Sequence, residues 1–367
     1  MSPLSRRALL LAAVGMPALA PAREATRRAL AFPRDHGAHP EFGIEWWYAT
    51  GWLREGSAEG EPAYGFQLTF FRSATGLAEG IAGRFAARQL LFAHAALSDL
   101  HNRKLVHAER IARWNGDPAA PQARAALDDT RVALGAWRFE REGSTGYQAV
   151  LADQDAGFGF KLALAPTQAV LLQGDAGFSR KGPQEANASH YYSQPQLAVS
   201  GELAQGKAAP RRVAGRAWLD HEWSGSLMPE GAVGWDWIGI NLADGGALTA
   251  FRLRDAQGGA VWAGGSHRAA GSAAVRAFAA DEVRFEPLAW WTSPATGARY
   301  PVRWAVACPS GRFEVRSLLD AQELDSRAST GSVYWEGLSE LVADGGRRAG
   351  LGYLEMTGYS SALRLQR

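Results

Sequence analysis

Between Arg131 and Asp175 the chain reads RVALGAWRFEREGSTGYQAVLADQDAGFGFKLALAPTQAVLLQGD, and this texture constrains the fold more than any other feature. Apolar residues recur at every second position within short runs, which gives a strand one row of side chains per face. The runs at 131–142, 147–153, 158–166 and 169–175 are broken by GSTG, DQDAG and PTQ, where Gly, Asp and Pro supply turns. Strands spaced about 12 residues apart predict an antiparallel meander, closed into a sandwich or barrel. The same pattern marks AYGFQLTFFR at 63–72, and in GWDWIGINLADGGALTAFRLR the DGG between two alternating runs predicts a hairpin. Ala82–Leu91 reads instead as a short helix, and the prolines of GDPAAPQARAA (116–126) predict a loop. No fixed-period repeat is present, which argues against propellers and solenoids.

A chain of 367 residues exceeds what one core normally serves. The polar, Pro/Gly-rich stretch GELAQGKAAPRRVAG (201–215) is where the sequence predicts the boundary. The expectation is an all-β protein of two antiparallel domains, 31–205 and 211–367.

Residues 1–22 stand apart. Arg6 and Arg7 precede an apolar stretch and Ala20-Pro21-Ala22, the layout of an export signal cleaved after Ala22. A membrane anchor needs about 20 uninterrupted apolar residues. Leu9–Ala20 is shorter and contains Gly15 and Pro17, so no stable span is expected after cleavage. Ser5-Arg6-Arg7-Ala8-Leu9-Leu10 is similar to a twin-arginine signal; the match is partial and leaves the Sec route open. A periplasmic or secreted location is the expectation. Of 39 basic residues, Arg6 and Arg7 are lost with the signal, leaving 37 against 37 acidic ones. A neutral chain without basic runs lacks the footprint of a nucleic-acid binder. Cys308, the one cysteine, excludes an intramolecular disulfide; VACPSG reads as a strand end with a buried thiol.

Fourteen tryptophans exceed the 9 tyrosines and 4 methionines. They suit an apolar or aromatic ligand, and equally a core filled with large side chains. Two of them flank the charged run in RAWLDHEWSG (216–225). Strand alternation splits that run: Leu219, His221 and Trp223 point one way, Trp218, Asp220 and Glu222 the other. A lone His on an apolar face is more often a hydrogen-bonded core residue than a catalyst. In GIEWWYATGWL, Glu45, Trp47 and Ala49 share a face opposite Trp46, Tyr48, Thr50 and Trp52. Asp236 falls in line with Ile238, Ile240 and Leu242, and a carboxylate there must be paired, protonated or functional. Pairing with Arg252 or Arg216 is the simpler account. SHYYSQP (189–195) and YWEG (334–337) complete the aromatic strands with isolated polar groups.

Asp220-His221-Glu222 is not the H-E-x-x-H that joins two His on a helix face, and HGAH offers only His36 and His39 in a loop. Neither a metal nor any other cofactor is expected from spacing. Nucleophile-elbow and P-loop motifs are also missing.

HPEFGIEWWYATGWL, HYYSQPQL, AWLDHEW, GWDWIGINLADGGAL, YWEG and GYLEMTGY, in this order, resemble the AttH and hydroxyneurosporene synthase family. The resemblance runs from Phe32 to Tyr359; decalin-forming cyclases and a phytoalexin hydratase look like distant relatives. It implies two lipocalin-like β-barrels and, for AttH-type proteins, association with ABC-transporter components. On the hydratase branch it implies a carotenoid 1,2-hydratase-like activity, in which an acid protonates an isoprenoid double bond and water captures the cation. A buried acid would supply the proton, and Trp faces would stabilise the cation by about 2 kcal/mol or more when desolvated. By similarity the hydratase His and Trp fall on His221 and Trp223. The Tyr-x-Asp pair expected near ALTAFRLR is replaced by Leu248, Thr249, Ala250 and Phe251. Asp236 and Glu45 are the candidates to replace the missing acid, and Trp47, Tyr48, Tyr192, Trp235 and Trp237 are the expected ligand contacts. Two functions therefore follow: an exported protein that binds an apolar lipid-like or isoprenoid-like ligand, or a hydro-lyase or cyclase acting on such a molecule.

Overall fold

The computed structural model describes residues 23–56, 60–76, 87–226 and 228–363. The expected export signal lies outside them, as do residues 82–86 of the expected helix; Gln89–Leu91, at the end of that stretch, begin a strand.

Two curled antiparallel sheets make up the protein. The first contains β1 (Ile44–Glu55), β2 (Tyr64–Ala74), β3 (Gln89–Asp99), β4 (Lys104–Trp114), β5 (Ala123–Ala125), β6 (Arg131–Leu134), β7 (Trp137–Arg141), β8 (Tyr147–Asp153), β9 (Phe158–Ala165), β10 (Leu171–Leu172), β11 (Phe178–Arg180), β12 (Ala188–Gln205) and β13 (Arg211–Ser224). The second contains β14 (Gly234–Leu242), β15 (Ala247–Arg254), β16 (Ala260–Arg268), β17 (Arg276–Phe278), β18 (Arg284–Thr292), β19 (Arg299–Cys308), β20 (Gly311–Ser317), β21 (Glu323–Ser326), β22 (Ser332–Ala343) and β23 (Arg348–Met356).

In the first sheet the order β4-β3-β2-β1-β13-β12-β9-β8-β7-β6-β5 brings the two ends round to contact each other, making a near-barrel. The second, β17-β16-β15-β14-β23-β22-β20-β19-β18, remains a half-barrel. The polar stretch at 201–215 is the β12–β13 hairpin inside the first sheet, and the chain passes between sheets at 225–233. Its Gly and Pro mark a turn between two long strands, which composition alone does not distinguish from a linker. Ala123–Ala125 pairs with β6 inside the expected loop, and only Leu171–Leu172 of the run at 169–175 is strand. Cys308 ends β19 half-buried.

Alternation determines what each sheet buries. Leu68, Phe70, Leu97, Trp137, Leu162 and their neighbours fill the near-barrel, each large apolar side chain contributing about 1.5–3 kcal/mol. Ile238, Ile240, Trp304, Trp335 and Leu354 fill the half-barrel. A third cluster is the seam between the sheets: Tyr48, Trp52 and Trp218 of the first meet Trp237, Phe251, Leu338 and Tyr353 of the second. Gln67 donates to Tyr334 at 3.2 Å, Ser98 to Gln322 at 2.7 Å and Ser266 to Gln173 at 2.7 Å across the same contact. Gly65 permits the close approach, because a Cβ there would lie 2.7 Å from Tyr353 Oη and 2.9 Å from Leu338 Cβ.

Candidate functional site

β13 lies between β1 and β12 and has chemistry on both faces. Its register sets His221 opposite Trp47 and Tyr192, Trp223 opposite Glu45 and His190, and Asp220 opposite Tyr48 and Ser193. Opposed residues share a face, so His221, Trp223, Glu45, Trp47 and Tyr192 turn into the near-barrel. Asp220 and Tyr48 turn into the seam.

The inner face holds a closed polar centre. A short 3-10 turn, Arg34–His36, and the loop after it lower His39 onto the strands. Glu45 accepts from the His39 backbone N–H at 2.9 Å and from Arg72 Nε at 2.8 Å. Its Oε1 lies 2.8 Å from His39 Nδ1 and 3.0 Å from His221 Nε2. His39 Nε2 meets Asp35 at 3.0 Å, and Asp35 accepts from Arg28 at 2.6 Å. His221 Nδ1 lies 3.2 Å from Tyr192 Oη, which is 2.7 Å from His36 Nδ1. Trp223 stacks on His39 at 3.8 Å between centroids, and Trp47 on His221 at 4.7 Å.

Burial and charge compete in this centre. Burial alone would raise Glu45 and Asp35, but the charges and hydrogen bonds of His39, with Arg72 for Glu45 and Arg28 for Asp35, hold both carboxyls below the usual range. Burial would lower His39; Glu45 and Asp35 outweigh it and raise the imidazole. His221 is pushed down to about 4 by burial against the pull of Glu45, and His36 to about 3 by burial and Arg141. At neutral pH the centre therefore contains ionised Glu45 and a neutral His221.

The seam is the opposite case. Asp220 accepts from Tyr191 Oη at 2.7 Å, Ser193 Oγ at 2.5 Å and Trp218 Nε1 at 2.7 Å, yet burial prevails and pushes it up to about 7. Glu222, on the same strand face, pairs with Lys181 Nζ at 2.9 Å. Across the seam, Glu336 and Glu355 face each other on β22 and β23. Burial and the Glu355 charge raise Glu336, and burial raises Glu355 to about 8. Tyr48 and Glu336 are hydrogen-bonding neighbours, and burial with the Glu336 and Glu355 charges raises the Tyr48 phenol. Trp237 Nε1 donates to Tyr191 Oη at 3.3 Å and so joins the second sheet to the Asp220 network. Carboxyls whose burial favours the protonated form can donate a proton.

Of the residues singled out from sequence, His221, Trp223, Glu45, Trp47 and Tyr192 meet in the inner centre, while Tyr48, Trp235 and Trp237 belong to the seam. Asp236 is in neither: it lies in the half-barrel, 2.7 Å from Arg252 Nε, and accepts from Tyr359 Oη at 2.8 Å. Sequence reading missed His39 as a partner of Glu45, along with Asp35, Arg72, Glu336 and Glu355. Arg72 carried a readable signal, a charged residue closing the apolar run FQLTFF. Donor atoms of His39, Glu45 and His221 all lie within 4.8 Å of one another. Spacing hid this group, since the loop, β1 and β13 each supply one member.

Fold and site together define a lipocalin-like protein of two curled β-sheets, with a buried polar centre in one and an acidic aromatic seam between them. The AttH-like family matches residues 23–359, and the chain belongs to it. A crystal structure from Nitrosomonas europaea assigned to AttH is 45% identical, with a TM-score of 0.82 over 93% of this chain and 100% of that one. Kievitone hydratase from Nectria haematococca shares the fold at 13% identity, with a TM-score of 0.67 over 91% of this chain and 94% of its own. None of the curated proteins matches the chain in sequence.

Proposed function

We propose that this protein binds an apolar small molecule of lipid or isoprenoid type at the seam between its sheets. The observation that carries the reading is the acidic and aromatic lining of the seam: Glu336 and Glu355 face each other beside Tyr48, among Trp218, Trp237, Phe251 and Tyr353. Two facing buried carboxyls are costly without a cation or a donor beside them; a polar group on an otherwise apolar ligand would offset that cost at Glu336 and Glu355. Export directed by residues 1–22, and work beside ABC-transporter components, belong to the same reading. Support comes from the paired arginines, the small residues before Arg23 and the AttH family. A mature N-terminus at Arg23 in the periplasmic fraction is expected; an uncleaved chain in the cytoplasm would reject export.

The test of binding is quenching of tryptophan fluorescence by a polyene fatty acid. Trp237→Ala and Glu336→Leu should each weaken saturable quenching by about tenfold, or 1.4 kcal/mol. Unchanged affinity in both variants would refute the seam as the site.

Asp220 favours a second reading, an acid-catalysed hydro-lyase. Its carboxyl would protonate one carbon of a double bond, forming C–H from the π electrons. Trp218 and Trp237 would face the resulting tertiary cation, water would add to it, and the proton of that water would return to Asp220. His221, Trp223 and Glu45 then hold β13 from behind, and Asp236 braces the second sheet. The kievitone hydratase fold is compatible with this chemistry. Incubation with an acyclic isoprenoid in H2(18)O should yield a labelled alcohol from the wild type and none from Asp220→Asn. Binding without any alcohol would leave the first reading alone.

A further inference from the structure

We propose that His39, Glu45 and His221 form a site for one divalent transition-metal ion, Zn2+ foremost, that clamps the N-terminal loop to β1 and β13. Two imidazole nitrogens and a carboxylate oxygen within 4.8 Å of one another are a suitable donor set. The mixed nitrogen and oxygen donors select zinc-like ions over Mg2+ or Ca2+, which take oxygen shells.

Preorganisation separates this group from a chance cluster. Each donor residue has its remaining polar atom fixed by a different partner. Asp35 lies on His39 Nε2 at 3.0 Å, Tyr192 on His221 Nδ1 at 3.2 Å, and Arg72 donates to Glu45 Oε2 at 2.8 Å. Partners of this kind set the tautomer and ring orientation of metal-binding histidines. Trp223 and Trp47 hold the two ring planes by stacking, and all three donor residues are buried.

Two of the three donor spacings are close to what an ion requires. Glu45 Oε1 is 2.8 Å from His39 Nδ1 and 3.0 Å from His221 Nε2. Tetrahedral ligands on bonds of about 2.1 Å stand about 3.4 Å apart, so each imidazole nitrogen must draw back from Glu45 Oε1 by about 0.4–0.6 Å, while the two nitrogens, within 4.8 Å of each other, settle at the same spacing.

Charge indicates what completes the shell. Arg72 and Arg28 balance Glu45 and Asp35, so the ion's own charge favours an anionic fourth ligand such as hydroxide. Two buried polar atoms beside the cluster, Trp223 Nε1 and His190 Nδ1, have no partner among the described residues. The Trp223 N–H is a donor of the type such an anion accepts. With one cysteine in the sequence no intrachain disulfide is available, and a metal clamp performs the same cross-linking of loop to sheet.

The inference is independent of ligand binding at the seam, on the opposite face of β13. Its test is titration of chelator-treated protein, free of any histidine tag, with Zn2+ in competition with a chromophoric chelator. Substitution by Co2+ supplies a visible absorption band. One ion per chain is expected. His221→Ala should abolish the Co2+ band, and Asp35→Asn, which keeps the donors but loses a charged partner, should weaken affinity by about 10–100-fold. Should His221→Ala fail to fold, Asp35→Asn and Tyr192→Phe carry the test: a Co2+ spectrum and affinity unchanged in both would overturn the proposal. Absence of stoichiometric binding to the folded wild type would overturn it outright.

Discussion

Asp220 and His221 are chain neighbours whose side chains occupy different compartments. Asp220 accepts from Tyr191, Ser193 and Trp218 in the seam, while His221 contacts Glu45 and Tyr192 inside the near-barrel. One strand thus couples an acidic aromatic contact between the sheets to a fixed ionic centre within one of them. A shift of β13 that opened the seam would have to strain the hydrogen bonds of His221, and the centre gives the strand its rigidity.

The seam carboxyls make stability fall as pH rises. Asp220, at about 7 in the folded protein, and Glu355, at about 8, lie above their ordinary values because of burial. The folded state therefore holds protons that the unfolded state has released. Their stabilisation is complete below about pH 4 and is lost as pH rises through 7 to 8. Below about pH 6.5 the buried histidines, His36 and His221 among them, act with the opposite sign. The carboxyl effect therefore stands alone between about pH 6.5 and 8, where thermal midpoints should decline for the wild type. Asp220→Asn should flatten the decline; an equal slope in the variant would mean that Asp220 titrates normally.

The inner centre has the opposite sign. Glu45 and Asp35 are held below their usual values, so their contribution exists above about pH 4 and is lost as pH falls. Glu45→Gln leaves Arg72 buried without its carboxylate, and breaking such a pair costs about 3–5 kcal/mol. Urea unfolding at pH 7 measures the cost. A loss below about 1 kcal/mol, the size of a surface pair, would show that the network carries little of the stability.

Legibility in the sequence followed the range of each signal. Period-two alternation is local, so β8 appears in the sequence with its observed bounds, and the opposite orientations of Asp220 and His221 could be read from spacing. Strand order is not local. Glu45 and His221 meet because β13 inserts between β1 and β12, a pairing that no spacing rule encodes. The buried polar partners His39 and Arg72 were illegible for the same reason, since each reaches Glu45 from a different element. The β12–β13 hairpin was misread as a boundary because turn and linker share a composition.

Seam packing depends on a missing methyl group. Gly65→Ala would place a Cβ 2.7 Å from Tyr353 Oη and 2.9 Å from Leu338 Cβ, and the overpacking should cost about 1–3 kcal/mol. Adding Tyr353→Phe removes the nearest atom and should restore part of the loss, leaving the Leu338 contact. Denaturation of the two single variants and the double variant gives the coupling directly. Simple additivity of the two changes would place Gly65 outside the sheet contact.

Asp236 supplies the control that separates structure from chemistry. The carboxylate is fully buried in the half-barrel, bonded to Arg252 at 2.7 Å and Tyr359 at 2.8 Å, with Arg254 at 3.7 Å. Asp236→Asn keeps the shape but removes the charge that two arginines face, and the expected loss of stability is about 3–5 kcal/mol. Seam binding, measured by tryptophan quenching below the variant's melting temperature, should remain at the wild-type affinity, because Asp236 turns away from Trp235 and Trp237 toward Ile238 and Ile240. Intact stability with abolished binding or turnover would reverse the assignment and return Asp236 to the candidate acids.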